Sequence, residues 1–156
     1  MAKHKLLIEF ELEFHGPLSS FLKAAEVIRG EPFKLNLYAT NLGSSEFPGA
    51  NVIDLRIEYR PYGLRGSFST PATLPSCPPL KPAKKVKFYS DEFVPVDEGT
   101  AWIHLKMEAK DKGEIEYYQV TEKPLPGSEW VNHFYVVSRE EIRILALLSQ
   151  LLNKIK

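Results

Sequence analysis

The sequence has very little cysteine and no excess of charge of either sign. Cys77 is the only cysteine, so the chain cannot form an intramolecular disulfide, and a disulfide-stapled secreted scaffold is excluded. Lysine plus arginine and aspartate plus glutamate number 20 each, which makes the formal net charge zero. Proteins that bind nucleic acids usually carry an excess of basic residues, because neutralisation of phosphates supplies much of their affinity. The composition therefore argues against a nucleic-acid partner.

Long hydrophobic runs are also missing. No uninterrupted apolar run approaches the ~20 residues that a membrane-spanning helix needs. Basic residues stand near Met1, as in a signal peptide, but Glu9, Glu11 and Glu13 interrupt the apolar residues that follow, and no small-residue cleavage site comes after them. We therefore expect a cytoplasmic protein without a membrane span.

The sequence lacks the motifs that usually accompany catalysis. It contains no phosphate-binding loop, no dinucleotide-binding glycine pattern and no G-x-S-x-G nucleophile turn. Cys77 lies in a proline-rich segment and not at a helix N-terminus that would lower its pKa. The chain has four histidines, His4, His15, His104 and His133, and no two of them have the spacing of a metal-binding pair. We expect no enzyme activity, no cofactor and no metal; a site in which His15 and His104 meet the glutamates of the first strand stays open as an alternative.

What the sequence does contain is a repeated two-residue alternation of apolar and polar side chains. With 156 residues, of which 44% are apolar, the chain is long enough for one domain with a real core. Alternation of this kind is typical of a strand with one buried and one solvated face. Three segments show it, with the apolar positions Ile8, Phe10, Leu12 and Phe14, then Phe33, Leu35, Leu37 and Ala39, then Ile53, Leu55, Ile57 and Tyr59.

Turn-forming residues bracket the second of these strands tightly. Gly30 permits a reversal before it, and Pro32 fixes φ at its first position, where a missing donor costs little. Asn41 and Gly43 end it, either through left-handed backbone angles or through a hydrogen bond from the asparagine side chain to nearby backbone. The residues just before Gly30, at 27–28, predict a short edge strand.

A long hairpin is predicted across residues 99–119. Its outgoing strand places Ile103, Leu105, Met107 and Ala109 on one face, and its return strand does the same with Ile115, Tyr117 and Gln119. Asp111, Lys112 and Gly113 form the turn, with Gly113 suited to a positive φ. By contrast, the proline-rich segment from Pro61 to Lys85 has no periodic run, and we expect a long loop there because proline cannot donate to a strand ladder.

The spacing of apolar residues changes from every second residue to helical spacing at the end of the chain. Ser138 and Glu141 match a capping box, which marks a helix start. Large apolar residues then recur at helical spacing, in the set Ile144, Leu145, Leu148, Leu151, Leu152 and Ile155. A lone helix of this length is only marginally stable in water, so we expect this one to dock, either on its own sandwich or on a partner.

Trp102 is the other residue that calls for an explanation. It falls on the face of its strand opposite Ile103 and Leu105, which is expected to be solvated. The C-terminal helix covers it, or it marks a binding surface; both interpretations stay open.

Two stretches resemble a known family. In "GEPFKLNLYATNLGSSEFPG" a Gly-x-Pro turn leads into an alternating strand that ends in the pattern Thr40, Asn41, Gly43, and "VPVDEGTAWIHLKME" places an acidic-glycine corner before a long strand. Both are similar to CARDB-type modules, bacterial and archaeal relatives of the immunoglobulin fold. The resemblance implies a β-sandwich that is non-catalytic and serves as an extracellular binding or spacer unit. This chain departs from that pattern through its C-terminal helix and the absence of a signal peptide.

The sequence thus predicts an all-β protein: an immunoglobulin-like antiparallel β-sandwich over residues 1–137, with a C-terminal amphipathic helix over residues 138–156. We expect a non-catalytic protein-interaction module, with another protein or a second copy as partner and a homodimer through the helix as one possibility. The alternative is a small-molecule or carbohydrate-binding accessory domain that uses the proline-rich loop and exposed aromatic residues. The residues expected to contact a partner are Trp102, Trp130, Ile144, Leu148, Leu151, Leu152 and Ile155.

Overall fold

The computed structural model describes residues 3–16, 18–22, 25–60, 67–119 and 129–155. Within them the chain forms ten strands, one 3₁₀ turn at Ser19–Phe21 and one α-helix. The elements are β1 (Lys3–Glu13), β2 (Glu26–Ile28), β3 (Phe33–Asn41), β4 (Ala50–Arg60), β5 (Phe68–Ser69), β6 (Ser76–Cys77), β7 (Lys85–Phe93), β8 (Gly99–Ala109), β9 (Glu114–Tyr118), β10 (Glu129–Val137) and α1 (Arg139–Ile155).

The strands form two sheets. The four-stranded sheet has the order β7-β3-β1-β9, and the six-stranded sheet has the order β2-β10-β8-β4-β5, with β6 also paired to β4. Two pairs, β1 with β9 and β2 with β10, are parallel. The β-sandwich with a C-terminal helix is therefore confirmed, as is the edge strand before Gly30, but the sheets are mixed and not antiparallel throughout.

The core contains the apolar faces that the alternation predicted. Side chains from both sheets are buried together, because each strand directs every second residue inward. The fully or nearly fully buried members include Leu6, Ile8, Phe33, Leu35, Leu37, Leu55, Ile57, Tyr59, Ile103, Leu105, Tyr117 and Phe134.

One predicted core position in β4 is wrong. The pairing of β4 with β8 shifts register between Val52 and Asp54, so that Val52 is buried and Ile53 is 47% exposed. A β-bulge of this kind inserts one extra residue and turns the side chains beyond it over to the opposite face. From Leu55 onward the predicted inward positions are correct.

The predicted hairpin of β8 and β9 is also wrong. β8 lies in the six-stranded sheet, whereas β9 pairs with β1 in the four-stranded sheet, so the chain crosses between sheets at residues 110–113. Lys112, and not Gly113, has the positive φ, at 62°. The inward face of β9 was nevertheless predicted correctly, since Ile115, Tyr117 and Gln119 are buried.

The turns around β3 are built as the sequence indicates. Gly30 has φ of 80°, the left-handed region that favours glycine. Asn41 is buried, and its Oδ1 accepts a hydrogen bond from the backbone N–H of Gly43 at 2.8 Å. Its Nδ2 donates to the carbonyl oxygens of Ser45 and Leu80, each at 2.9 Å. The asparagine therefore ends β3 through hydrogen bonds and ties the proline-rich segment to it.

The described part of the proline-rich segment contains two short strands. Residues 61–66 of the predicted loop lie outside the described residues. The rest contributes β5 and β6, each two residues long and paired to β4, and a bridge between Phe47 and Leu80. Short edge strands suit a segment in which proline removes ladder donors.

The helix begins where the capping box predicted. The backbone N–H of Glu141 donates to Oγ of Ser138 at 3.0 Å, and Arg139 forms an ion pair with Glu31 at 3.2 Å. In the part of the chain that the structure describes, no helix combines the length and the hydropathy that crossing a membrane takes.

Candidate functional site

The first candidate surface is the apolar face of α1, which is exposed. Among the described helix residues, Ile142 alone is buried. The residues of intermediate exposure, Ala146 and Ser149, follow Ile142 at helical spacing and lie on the same side. The rest of the helix surface carries seven large apolar side chains that are 49–81% exposed, namely Ile144, Leu145, Leu147, Leu148, Leu151, Leu152 and Ile155. We call these seven the apolar face.

The described contacts of α1 with the rest of the chain lie near its beginning. Ile142 lies beside the 3₁₀ turn, and a groove of about 380 Å³ is lined by Phe21, Val137, Ile142 and Leu145. Beyond that point its large apolar side chains are exposed, whereas the small side chains of Ala146 and Ser149 are of intermediate exposure. Helices that pack on their own domain normally bury the apolar side, so this orientation leaves the apolar face available for a partner.

The second candidate surface lies on the outer face of the six-stranded sheet. It combines a carboxylate, a guanidinium group and four aromatic or imidazole rings from β4, β8 and β10. We call it the outer-face cluster: Glu58, Arg60, Trp102, His104, His133 and Tyr135.

The strand register brings these side chains together. Trp102 lies opposite Glu58 on β4 and opposite His133 on β10. Directly opposed residues on one face have Cβ atoms about 5 Å apart, so the three side chains form one row across the sheet. Arg60 and Tyr135 both lie opposite Thr100, in the adjacent row.

A buried ion cluster anchors one end of this surface. Glu58 is only 1% exposed although it is on the outward face of its strand. It accepts two hydrogen bonds from the guanidinium of Arg60, at 2.9 and 3.1 Å, and one from Nε2 of His104 at 3.0 Å. The bonds from Arg60, followed by the bond from His104, lower the pKa of Glu58 to about 2 against the effect of its burial.

The rings extend the surface from this anchor. The guanidinium carbon of Arg60 lies 5.5 Å from the centroid of the Trp102 ring, in the range of a cation–π contact. The rings of Trp102 and His133 are 5.0 Å apart between centroids, and those of His133 and Tyr135 are 5.5 Å apart. Nε2 of His133 and the hydroxyl of Tyr135 are also within hydrogen-bond distance, at 3.2 Å.

The sequence-predicted partner residues divide between these surfaces. The five helix residues all belong to the apolar face. Trp102 lies apart from them, and its described contacts are with His133 and Arg60. The backbone of Trp130 pairs with Leu105, but its side chain lies outside the described residues. Glu58 and Arg60 were not predicted; the signal that was available is a pair of opposite charges two residues apart on one strand face.

The histidines and Cys77 do not converge on a site. His15 is in the segment after β1 and His104 is in the opposite sheet, so the alternative site that joined them is wrong. Two of the four histidines are largely buried against carboxylates: His4 contacts Asp111 at 2.9 Å, and His104 contacts Glu58 at 3.0 Å. Among the described residues there is no group of three or more metal-ligating side chains. Cys77 is buried, which raises the pKa of its thiol to about 11.

The glutamate row of β1 is occupied by partners from the same sheet. Asn36 is fully buried and donates to Glu11 at 2.9 Å and to Glu13 at 2.8 Å. Glu9 pairs with Lys85 at 3.1 Å. These contacts join β1 to β3 and β7 and leave the row less available to an external cation.

Taken together, the described elements define a β-sandwich with an appended amphipathic helix. No family model matches the sequence, and no curated protein does.

Among solved structures, the chain is similar to the CARDB domain of a Pyrococcus furiosus protein, in a crystal structure described as a complex with di-metal ions. The identity is 16%, the match covers 86% of this chain and 93% of that chain, and the TM-score is 0.44. A solution NMR structure of the same domain is 17% identical, with 88% of this chain and 98% of that chain covered and a TM-score of 0.44. Both structures are of a CARDB domain, and CARDB-type modules are the family that the turn motifs of this sequence resemble.

Proposed function

We propose that this protein is a non-catalytic interaction module that pairs with a second copy of itself through the apolar face of α1. The observation that carries the proposal is the orientation of the helix, which presents seven large apolar side chains to solvent. Contiguous exposed apolar surface on this scale usually marks an interaction site. Each side chain is already about half exposed, so covering the exposed part contributes roughly 1 kcal/mol per residue.

A second copy is favoured as the occupant because the apolar face is self-complementary. Its central residues read Ile144, Leu148, Leu151 and Ile155, with spacings of four, three and four. The series is the same in both chain directions. A two-fold symmetric interface requires one surface to match its own rotated copy, and a series of this kind does so when two helices run antiparallel.

The antiparallel arrangement sets a specific register. Ile144 of one copy then lies opposite Ile155 of the other, and Leu148 lies opposite Leu151. The two helix dipoles oppose each other favourably, and the two sandwiches lie at opposite ends of the helix pair. A parallel pair would instead align the two helix dipoles in the same direction, which is unfavourable.

The proposal is tested by light scattering of the full chain and of two helix variants. We expect the unmodified chain to have twice the mass of one chain at micromolar concentration. Leu148→Lys places a charge in the centre of the interface and is expected to raise the dissociation constant at least about tenfold, because a charge loses water there without gaining a partner. Gln150→Lys is the matched control, since Gln150 is exposed on the polar side of the helix.

The variants are informative because Leu148 is half exposed in the single chain, so its replacement does not remove a core contact. Circular dichroism and melting temperature at low concentration are expected to match between the two variants. A monomeric unmodified chain across the micromolar range would contradict the proposal. So would equal weakening by Leu148→Lys and Gln150→Lys.

A further inference from the structure

The outer-face cluster has features that self-association through α1 does not use. It lies on the outer face of the six-stranded sheet, on strands β4, β8 and β10, and it contains none of the residues of the apolar face. Neighbouring strands are about 4.8 Å apart, so a surface across three strands is about 10 Å long. Two linked sugar rings span a surface of this length.

The guanidinium of Arg60 is held in a fixed position. Glu58 accepts from both Nε and Nη2 of Arg60, which fixes the plane of the group beside the Trp102 ring. An ion pair whose carboxylate is buried is weak as a stabilising device compared with apolar residues of similar volume. Its evident effect is to orient an arginine, which remains 39% exposed, next to an aromatic ring.

The charge of the surface is balanced. Arg60 is paired with Glu58. Nε of Arg56 lies 3.6 Å from Oδ2 of Asp54, and the Arg56 guanidinium also contacts the ring of Phe68. A polyanion such as a nucleic acid needs uncompensated positive charge for its affinity. This surface offers N–H donors and aromatic rings but no uncompensated positive charge. It therefore fits a neutral ligand.

Rings and polar groups alternate along the surface. Tyr135 provides an aromatic ring that is 46% exposed, and Trp102 provides a neighbouring ring of intermediate exposure. Arg60 donates hydrogen bonds, while the His133 imidazole and the Tyr135 hydroxyl both donate and accept. A saccharide has the matching chemistry, because its C–H faces pack on rings and its hydroxyls donate and accept. We propose that the outer-face cluster binds a neutral saccharide. The proposal goes beyond self-association and rests on different residues.

The test is native affinity electrophoresis of the full chain in gels that contain a soluble β-glucan, an α-glucan or a mannan. Gels with polygalacturonate and gels with single-stranded DNA serve as anionic comparisons. We expect at least one of the three neutral polysaccharides to retard the unmodified chain. Trp102→Ala and Tyr135→Ala are each expected to weaken that retardation at least about tenfold, since each removes a ring face.

Tyr38→Ala is the matched control. Tyr38 is an aromatic residue on the outer face of the four-stranded sheet. Nζ of Lys85 lies 4.8 Å from the centroid of its ring. We expect this variant to be retarded like the unmodified chain. If Trp102→Ala proves unfolded by circular dichroism, Tyr135→Ala decides, because the half-exposed Tyr135 side chain is not part of the core.

Three outcomes would overturn the proposal: no retardation in any neutral gel, retardation in the anionic gels alone, or equal loss of retardation in Tyr38→Ala and Tyr135→Ala. Leu148→Lys separates this proposal from self-association. It is expected to be monomeric and still retarded, because the apolar face and the outer-face cluster share no residue.

Discussion

At the scale of single residues, Glu58 is the side chain whose position is least expected, a carboxylate almost fully buried on the outward face of a strand. Hydrogen bonds from Arg60, and then from His104, lower its pKa from 4.5 to about 2. A carboxylate whose pKa is lower in the folded state stabilises the fold above its unfolded pKa. The contribution of Glu58 is therefore fully present at neutral pH and is lost as the pH falls from 4.5 toward 2.

Glu58→Gln is expected to lower the free energy of unfolding at pH 7 by about 1–3 kcal/mol, because Arg60 and His104 lose a charged acceptor. The decline of stability between pH 4.5 and about 2 is expected to be less steep than in the unmodified chain. Urea unfolding at a series of pH values measures both effects.

The control for this experiment is Glu108→Gln. Glu108 lies on the same outer face, but its carboxylate is half exposed and pairs with Lys112. Surface replacements of this kind usually change stability by less than about 0.5 kcal/mol. If the free energy of unfolding fell equally steeply with pH in Glu58→Gln and in the unmodified chain, the assigned role of Glu58 would be refuted.

Sequence patterns predicted some individual residues well and missed others for a physical reason. The turn at Asn41 and Gly43 was predictable because an asparagine side chain bonds to backbone only two residues away. The burial of Glu58 was not, because one of its partners, His104, comes from β8. The exposure of Ile53 depends on a bulge in β4, and alternation alone does not show where a strand gains an extra residue.

At the scale of elements, the pairing of β9 differs most from expectation. Alternation of apolar residues showed which side of β9 faces the core, and that side is correct. The same pattern is satisfied in either sheet, since both inner faces contribute to one core. The partner of β9 therefore depends on contacts that are distant in sequence, namely its pairing with β1 from Lys3 to Leu7.

Tyr117 joins β9 to the opposite sheet. It is buried, and its hydroxyl accepts from the backbone N–H of Met107 at 3.1 Å, at the point where the β4 bulge interrupts the regular register. Tyr117→Phe leaves that N–H without its partner in the core and is expected to cost about 1–3 kcal/mol. Thermal and urea unfolding measure the loss.

Tyr118→Phe is the matched control one residue away. The hydroxyl of Tyr118 bonds to Glu116 on the outer face and is not part of the core. A change within about 0.5 kcal/mol is expected. If the two variants were equally stable, the hydrogen bond across the sandwich would have no stabilising role.

At the scale of the whole molecule, the sequence predicted a β-sandwich and an amphipathic helix, and both are present. It left open whether the helix docks on its own sandwich or on a partner, because the apolar stripe is the same in both cases. The burial of Ile142 and the exposure of the apolar face, which together favour a partner, depend on the angle at which the chain leaves β10. No local pattern encodes that angle.

The most direct test of the helix pairing is disulfide formation between two variants that each carry one added cysteine in the helix, in a chain whose native Cys77 is buried. Leu148→Cys and Leu151→Cys copies are mixed and oxidised, and covalent dimers are counted on a non-reducing gel. Antiparallel pairing predicts a cross-linked dimer in the mixture and little in either variant alone. Efficient cross-linking of Leu148→Cys with itself, or none in the mixture, would contradict the account.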